Sequence, residues 1–183
     1  LEDLQEDDLP EDAASETVGD TDLSTIPESV RSDLAARPEV EQVFAQRTEN
    51  AETDNEEIAD FEGTLPVSTF LGATLGEEIQ VDTVRGDLDD FGPGSVIVSA
   101  AWEDSVGVGD TIVLGASGHE FEVVAVVENS SFFYGFALVP EDYERVVPGS
   151  AGDSAVMVRG SDTADQAELR EAVHSATAAH PTL

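Results

Sequence analysis

Short apolar runs separated by turn residues occupy most of the chain between residues 67 and 158. Residues 95–98 follow a Gly-Pro-Gly turn and predict a short buried strand. Residues 111–114 and 121–127 predict a hairpin with its turn at 116–119. The second hairpin strand is apolar on both faces toward its end, which is typical of a central strand.

The N-terminal part of the chain predicts a helix that ends before Pro38. Ser24 or Thr25 can cap this helix, and Pro27 suits its first turn. The residue before a proline is disfavoured in helical conformation, so we expect the helix to end at Arg37.

The region after this helix predicts strands and an acidic loop. Val40 and then residues 43–45 indicate a first strand, and the polar residues 50–60 indicate a loop. Apolar alternation over residues 61–72 indicates a second strand, although Pro66 favours an edge or bulge position for part of it. Residues 79–84 lie near a further turn.

The C-terminal part predicts strands at 136–139 and 154–158, with helical segments at 140–146 and 163–178. Strands outnumber helices, which predicts an α+β fold. We expect mixed small sheets or a partly barrel-like β core, with helices near both chain ends.

Two segments of different composition are predicted. Residues 1–25 are dense in Asp and Glu and indicate an acidic, flexible lead-in. Residues 26–183 form the α+β domain, which could divide into two subdomains, 26–84 with 150–183 and 85–149.

Acidic residues dominate the charge of the chain. Asp and Glu number 41 against 7 Lys and Arg, so the net charge is -34. This charge destabilises a compact state at low salt, whereas molar salt shortens the screening length to about 3 Å. We therefore expect a protein of a salt-loving organism. A disordered acidic chain is the competing interpretation, and the Val-rich periodic stretches argue against it.

The charge and composition also exclude classes of partner and site. Nucleic acids and anionic lipid surfaces are bound through basic surface, of which this chain has almost none. The absence of cysteine excludes disulfides, thiolate metal sites and cysteine nucleophiles. No stretch approaches the ~20 apolar residues of a membrane span. The chain starts at Leu1, so we expect a processed or excised piece.

Candidate chemistry in the sequence is weak, and we expect no catalytic, metal or cofactor site. Ser99 lacks a nearby base and is interpreted as a helix cap. The histidines do not have metal-ligand spacing, and a Ca²⁺ site in the Asp cluster is a minor alternative because carboxylates are so common here. Paired carboxylates for glycoside hydrolysis cannot be recognised for the same reason. The residues considered are His119, His174, His180, Asp87, Asp89, Asp90 and the turn glycines Gly107 and Gly109, which lack a phosphate-loop pattern.

An aromatic cluster stands out in a chain that is only 6% aromatic. Phe132, Phe133, Tyr134 and Phe136 surround Gly135 and follow two serines. Exposed aromatic residues often mark contact surfaces. The cluster is either core packing at the end of the sheet or a partner-contact surface.

The order of the motifs resembles the extracytoplasmic core domain of FtsX/MacB-type ABC-transporter permeases. The matching segments are residues 94–99 (Gly-Ser-Val-Ile-Val-Ser), 108–114 (Val-Gly-Asp-Thr-Ile-Val-Leu), 121–127 (Phe-Glu-Val-Val-Ala-Val-Val) and 137–140 (Ala-Leu-Val-Pro). Ala125 stands where the family usually has glycine. The resemblance covers roughly residues 26–180.

The resemblance implies a membrane-embedded parent with this domain outside the cytoplasm. ATP hydrolysis would occur on a separate cytoplasmic subunit or domain, and this domain would couple it to an external substrate or partner protein. A homodimer or paired permease is possible in the full-length protein. The alternatives are a free-standing secreted binding domain and, less favoured, a small secreted enzyme.

Overall fold

The computed structural model describes residues 25–60, 62–130, 132–150 and 152–178, and it has the α+β fold that the sequence predicts. Helices lie near both ends of the described chain, as expected. The elements are α1 (Glu28–Ala35), β1 (Val40–Glu52), β2 (Thr64–Leu71), β3 (Thr83–Gly86), β4 (Ser95–Ser99), β5 (Thr111–Leu114), β6 (His119–Val127), β7 (Phe136–Ala137), α2 (Pro140–Val146), β8 (Ala155–Gly160) and α3 (Gln166–Thr177), with 3-10 helices at Leu88–Asp90 and Ala100–Trp102.

Within the described ranges, the eight strands form one mixed sheet in the order β3-β6-β4-β7-β2-β1-β8, with β5 also paired to β6. The pairs β2–β7 and β4–β6 are parallel, and the others are antiparallel. The sheet is continuous across both predicted subdomains through the β2–β7 pair, and the division into subdomains stays a prediction.

The sheet curves toward closure without becoming a barrel. The hydroxyl of Thr53, just after β1, donates to the carbonyl of Val113 at 2.9 Å. The N–H of Gly115 donates to the carbonyl of Glu52 at 2.8 Å. These contacts cover the outer side of β5. The partly barrel-like alternative therefore corresponds to a bent, open sheet.

Pro66 lies in the part of β2 that has a strand neighbour on one side only, in agreement with the edge position that the sequence predicts for part of this strand. Strand β2 lies between β1 and β7, and Pro66 is paired with Asn50 of β1. The pairing with β7 begins only at Val67. A proline cannot donate to a ladder, but β7 is too short to require a donor at this position.

Strand β1 is longer than the sequence predicts, and it replaces the first part of the predicted loop at 50–60. Residues 45–52 pair continuously with β2 in antiparallel register. Their side chains are mostly polar and partly exposed. Backbone pairing along a neighbouring strand therefore holds these residues extended without the apolar alternation that marks a strand.

A bulge in β6 distributes its apolar residues over both faces of the sheet. The β4–β6 register shifts by one residue, from Val96 opposite Val123 to Ile97 opposite Ala125. Phe121 and Val123 therefore belong to one core cluster, whereas Ala125 and Val127 belong to the other. Gly86 of β3 fits here because its φ is +82° and a Cβ would lie 2.0 Å from the carbonyl oxygen of Val124.

Helices α1 and α3 pack against each other and against the β1–β8 end of the sheet. A third cluster joins them, formed by the buried residues Val30, Leu34 and Ala176 with Ile26, Val43, Val156, Val158 and Val173. The Asp165 side chain and Glu168 form a capping box, so α3 starts at Gln166 rather than at the predicted residue 163. The predicted helix stop at His180 and the lead-in at 1–24 lie outside the described residues.

Candidate functional site

The segment between β6 and β7, described at residues 128–130 and 132–135 and here called the aromatic loop, is anchored to the chain after β4. The N–H of Ala101 donates to the side-chain oxygen of Asn129 at 3.2 Å. The N–H of Ser99 donates to the carbonyl of Gly135 at 2.9 Å, and the N–H of Gly135 donates back to the Ser99 hydroxyl at 3.2 Å. These bonds fix the position of the loop at the end of β4.

Ser99 is structural, but it does not cap a helix through its side chain. It occupies the position before the 3-10 helix Ala100–Trp102, and its side chain makes no capping hydrogen bond there. Its hydroxyl is fully buried and accepts the Gly135 N–H instead. The predicted cap position is therefore confirmed, but the side chain bonds to a tertiary partner that lies 36 residues away in sequence.

The predicted contact cluster separates into two buried and two exposed residues. Phe133 and Phe136 are 1% and 0% exposed and belong to the two core clusters. Phe132 and Tyr134 are 43% and 57% exposed. Only these two present surface to a partner, and their role in contact stays a prediction.

Trp102 extends the surface around Tyr134, and sequence reasoning missed it as part of the cluster. The rings of Trp102 and Tyr134 lie 4.6 Å apart between centroids, with a 53° tilt. Trp102 also contacts Phe136 at 5.3 Å. Trp102 is the one tryptophan in the sequence and follows a predicted strand. This position is the signal from which its place in the aromatic cluster could have been predicted.

Phe132 lies on the other side of the loop and lines a hollow of about 420 Å³, which we call the far-face hollow. Phe44 and Met157 form its apolar wall, and the guanidinium of Arg159 lies 5.2 Å above the Phe44 ring. Glu77 and Glu78 also line it. The hollow thus combines aromatic surface with carboxylates.

A larger concavity of about 800 Å³, which we call the helix-side groove, lies between α1, β8 and α3. Aliphatic side chains from all three elements line it, and two cationic or titratable side chains of α3 stand at its wall. The lining includes Val30, Leu34, Val156, Val158, Leu169 and Val173, together with Arg170 and His174.

A buried carboxylate connects the start of α1 to the sheet. Asp153 has no exposed surface, accepts from the Arg47 guanidinium at 3.0 Å and lies 3.8 Å from that of Arg31. Arg47 also contacts Glu144 of α2 at 3.1 Å. Burial of the Arg47 guanidinium acts to lower its pKa. The hydrogen bond to Asp153 and the negative charges nearby together have a larger effect, so the pKa of Arg47 lies above its ordinary value. This network is structural.

The remaining candidates are not brought together. His119 lies in the β5–β6 hairpin, opposite Leu114, and His174 lies on α3. His180 lies outside the described residues. Asp87 accepts from the N–H of Asp89 at 3.0 Å, so it caps the short helix Leu88–Asp90. Across residues 25–178, where described, no three His, Asp or Glu side chains are grouped to hold a metal ion. In the same ranges, no helix is long and apolar enough to cross a bilayer.

Comparison with known proteins gives matches in structure but none in sequence. No family model matches the chain, and no curated protein matches it. The periplasmic region of MacB from Actinobacillus actinomycetemcomitans superposes with a TM-score of 0.60 and 11% identity, over 86% of this chain and 76% of that one.

Two further solved structures agree with this match. The extracellular domain of the ABC-type transporter YknZ from Gram-positive bacteria gives a TM-score of 0.55 at 18% identity, over 87% of this chain and 86% of that one. A domain of a protein described as a permease, from Porphyromonas gingivalis, gives 0.51 at 17%, over 86% and 72%. This chain has the fold of extracytoplasmic domains of ABC-type permeases, which agrees with the resemblance in its sequence motifs.

Proposed function

We propose that this chain is the extracytoplasmic domain of an ABC-transporter permease. In this role it couples ATP hydrolysis on a cytoplasmic subunit or domain to the handling of a substrate or partner protein outside the membrane. The observation that carries the proposal is the match of its fold, over most of its length, to three such domains. Fold alone does not define function, and the geometry of the domain adds independent support.

The arrangement of the two terminal helices supports the proposal. Helices α1 and α3 lie side by side, and the Arg37 guanidinium donates to the hydroxyl of Ser175 at 3.0 Å. The described chain therefore enters and leaves the domain on one side of the sheet. Such an arrangement suits a domain whose two ends both lead to membrane helices. A relative motion of the two membrane helices would be transmitted to the sheet by the ion pairs of Asp153, which join Arg31 of α1 to Arg47 of β1.

In this role the domain has no catalytic function of its own, and ATP is hydrolysed by the partner subunit or domain. The two candidate polar residues have structural roles: the Ser99 hydroxyl holds the aromatic loop, and the Asp87 side chain caps a short helix. The exposed rings of Phe132 and Tyr134 are the proposed surface for contact with an external substrate or protein.

Membrane fractionation of the full-length parent tests this proposal. The parent, with an affinity tag, is purified from detergent-solubilised membranes, and ATP hydrolysis is measured in the purified material. We expect the parent in the membrane fraction, together with an ATP-hydrolysing subunit or domain. A parent recovered entirely from the culture medium, without ATPase activity, would instead favour the secreted binding domain.

A further inference from the structure

Strand β8 lies at an edge of the sheet formed by the described residues. Within these residues its one strand partner is β1, and none of its six residues is fully buried. Edge strands offer free N–H and C=O groups to an added strand, and charges or short length normally discourage this. The opposite edge strand, β3, shows that protection: it has four exposed residues between Asp82 and Asp87.

The composition of β8 is unusual for this chain. Residues 155–160 read Ala-Val-Met-Val-Arg-Gly and contain no acidic residue, although the chain has 41. Its one charge is Arg159, which is engaged by the Phe44 ring and by the side-chain oxygen of Gln42 at 3.0 Å. The edge therefore carries no acidic side chain, and its one cation already contacts Phe44 and Gln42.

Both faces beside this edge are concave. Val156 and Val158 point into the helix-side groove, whereas Met157 and Arg159 line the far-face hollow. Successive side chains of a strand point to opposite faces, so a strand added next to β8 would supply side chains to both concavities. The groove offers an aliphatic surface, and the hollow offers the carboxylates of Glu77 and Glu78 beside Phe132.

We propose that the free edge of β8 receives an extended segment of a partner protein in which apolar and basic residues alternate. The apolar side chains would fill the helix-side groove, and the basic ones would lie over the far-face hollow, near its carboxylates and aromatic rings. The backbone of the segment would pair with the outward N–H and C=O groups of β8. This surface is independent of the proposed function, because it requires only the described domain.

Charge contacts at short range favour such a partner over a second copy of this chain. Two copies each carry a net charge of -34, and although molar salt screens the repulsion between distant carboxylates, it screens contacts at the paired edge much less. A self-paired β8 would also place no basic residue beyond Arg159 near Glu77 and Glu78. A basic segment instead brings cations to Glu77 and Glu78 at contact distance, where salt screens the attraction least.

The test uses a synthetic eight-residue peptide of alternating Val and Lys, titrated onto the chain in molar KCl. A control peptide has the same composition, with all four Val followed by all four Lys. Amide hydrogen exchange is measured along the chain. We expect the alternating peptide to slow exchange at residues 155–160 by about tenfold or more, and the control peptide to have no such effect.

Two variants with a matched control locate the binding edge. Val158→Arg places a cation in the helix-side groove, and Met157→Arg places one in the far-face hollow. Each should weaken binding of the alternating peptide by about tenfold. Val84→Arg makes the same charge change on the exposed β3 edge and should alter affinity less than about twofold. Circular dichroism verifies that each variant is folded. If one of the two β8 variants does not fold, the other is compared with Val84→Arg alone.

Three results would overturn the proposal. The first is equal binding of both peptides, which would reduce the effect to nonspecific charge attraction. The second is protection of residues 83–86 instead of 155–160. The third is protection of β8 that appears without peptide as the protein concentration rises, which would make a second copy the occupant.

Discussion

Gly135 holds the aromatic loop against β2 because no side chain fits at its position. Its φ is +117°, and a Cβ there would lie 2.4 Å from the carbonyl oxygen of Pro66. The same residue exchanges two hydrogen bonds with Ser99. One glycine therefore determines where Phe132 and Tyr134 reach the surface.

Gly135→Ala should lower the free energy of unfolding by about 2–4 kcal/mol, since it combines backbone strain with a steric overlap. Gly63→Ala is the matched control. Gly63 has a φ of +78° but no atom within 4 Å of the added Cβ, so only the strain of about 1 kcal/mol is expected. Denaturant unfolding in molar KCl measures the loss of unfolding free energy in each of the two variants. Equal losses in the two variants would show that the close approach to Pro66 is unimportant.

Sequence reasoning located the aromatic cluster but could not assign its members to core or surface. Phe132, Phe133 and Tyr134 are adjacent in sequence, and their exposures are 43%, 1% and 57%. Which ring is buried depends on the direction in which the loop crosses the sheet end. That direction is set by tertiary hydrogen bonds from Ser99 and Ala101, which have no local signal.

At the scale of elements, the turn before β2 depends on the carboxylate of Asp60. Its oxygens accept from the Thr64 N–H, the Thr64 hydroxyl and the Glu62 N–H, each at 2.9 Å. The backbone hydrogen bond from Thr64 is the main cause that holds the pKa of Asp60 below its ordinary value. This side chain directs the chain from the end of β1 into β2.

Asp60→Asn should therefore destabilise the fold in a pH-dependent manner. A carboxyl with a lowered pKa contributes stability that is fully present above its unfolded pKa, about 3.9. That contribution is lost as the pH falls through the lower folded pKa. The difference in unfolding free energy between wild type and variant should be constant near pH 7 and shrink below about pH 4. An unchanged difference across this range would contradict a role for the charge.

Most elements could be predicted from the sequence, but their boundaries depended on tertiary pairing. The hairpin β5–β6 and the helix α3 follow from apolar runs and caps. The bulge at Val124 and the polar second half of β1 could not be predicted, because both result from pairing with distant strands. The open β8 edge likewise becomes visible only when the strand order is known.

At the scale of the whole molecule, the net charge of -34 makes stability dependent on salt. The screening length falls from about 30 Å at 0.01 M to about 3 Å at 1 M, so repulsion between distant carboxylates is reduced. We predict that the melting temperature rises steadily from millimolar to molar KCl. Replacing exposed carboxylates by amides, for example Glu56→Gln with Glu57→Gln, should flatten this rise. A melting temperature independent of salt would contradict the expectation of a salt-adapted protein.

The association with an ABC-transporter permease is tested most directly by determining the full reading frame that encodes this domain and the hydropathy of its flanks. A permease parent should carry an apolar segment of ~20 residues before residue 1 and about three such segments after residue 183. A cleavable signal peptide upstream, with a stop codon close to Leu183, would contradict the permease function and identify a secreted domain instead.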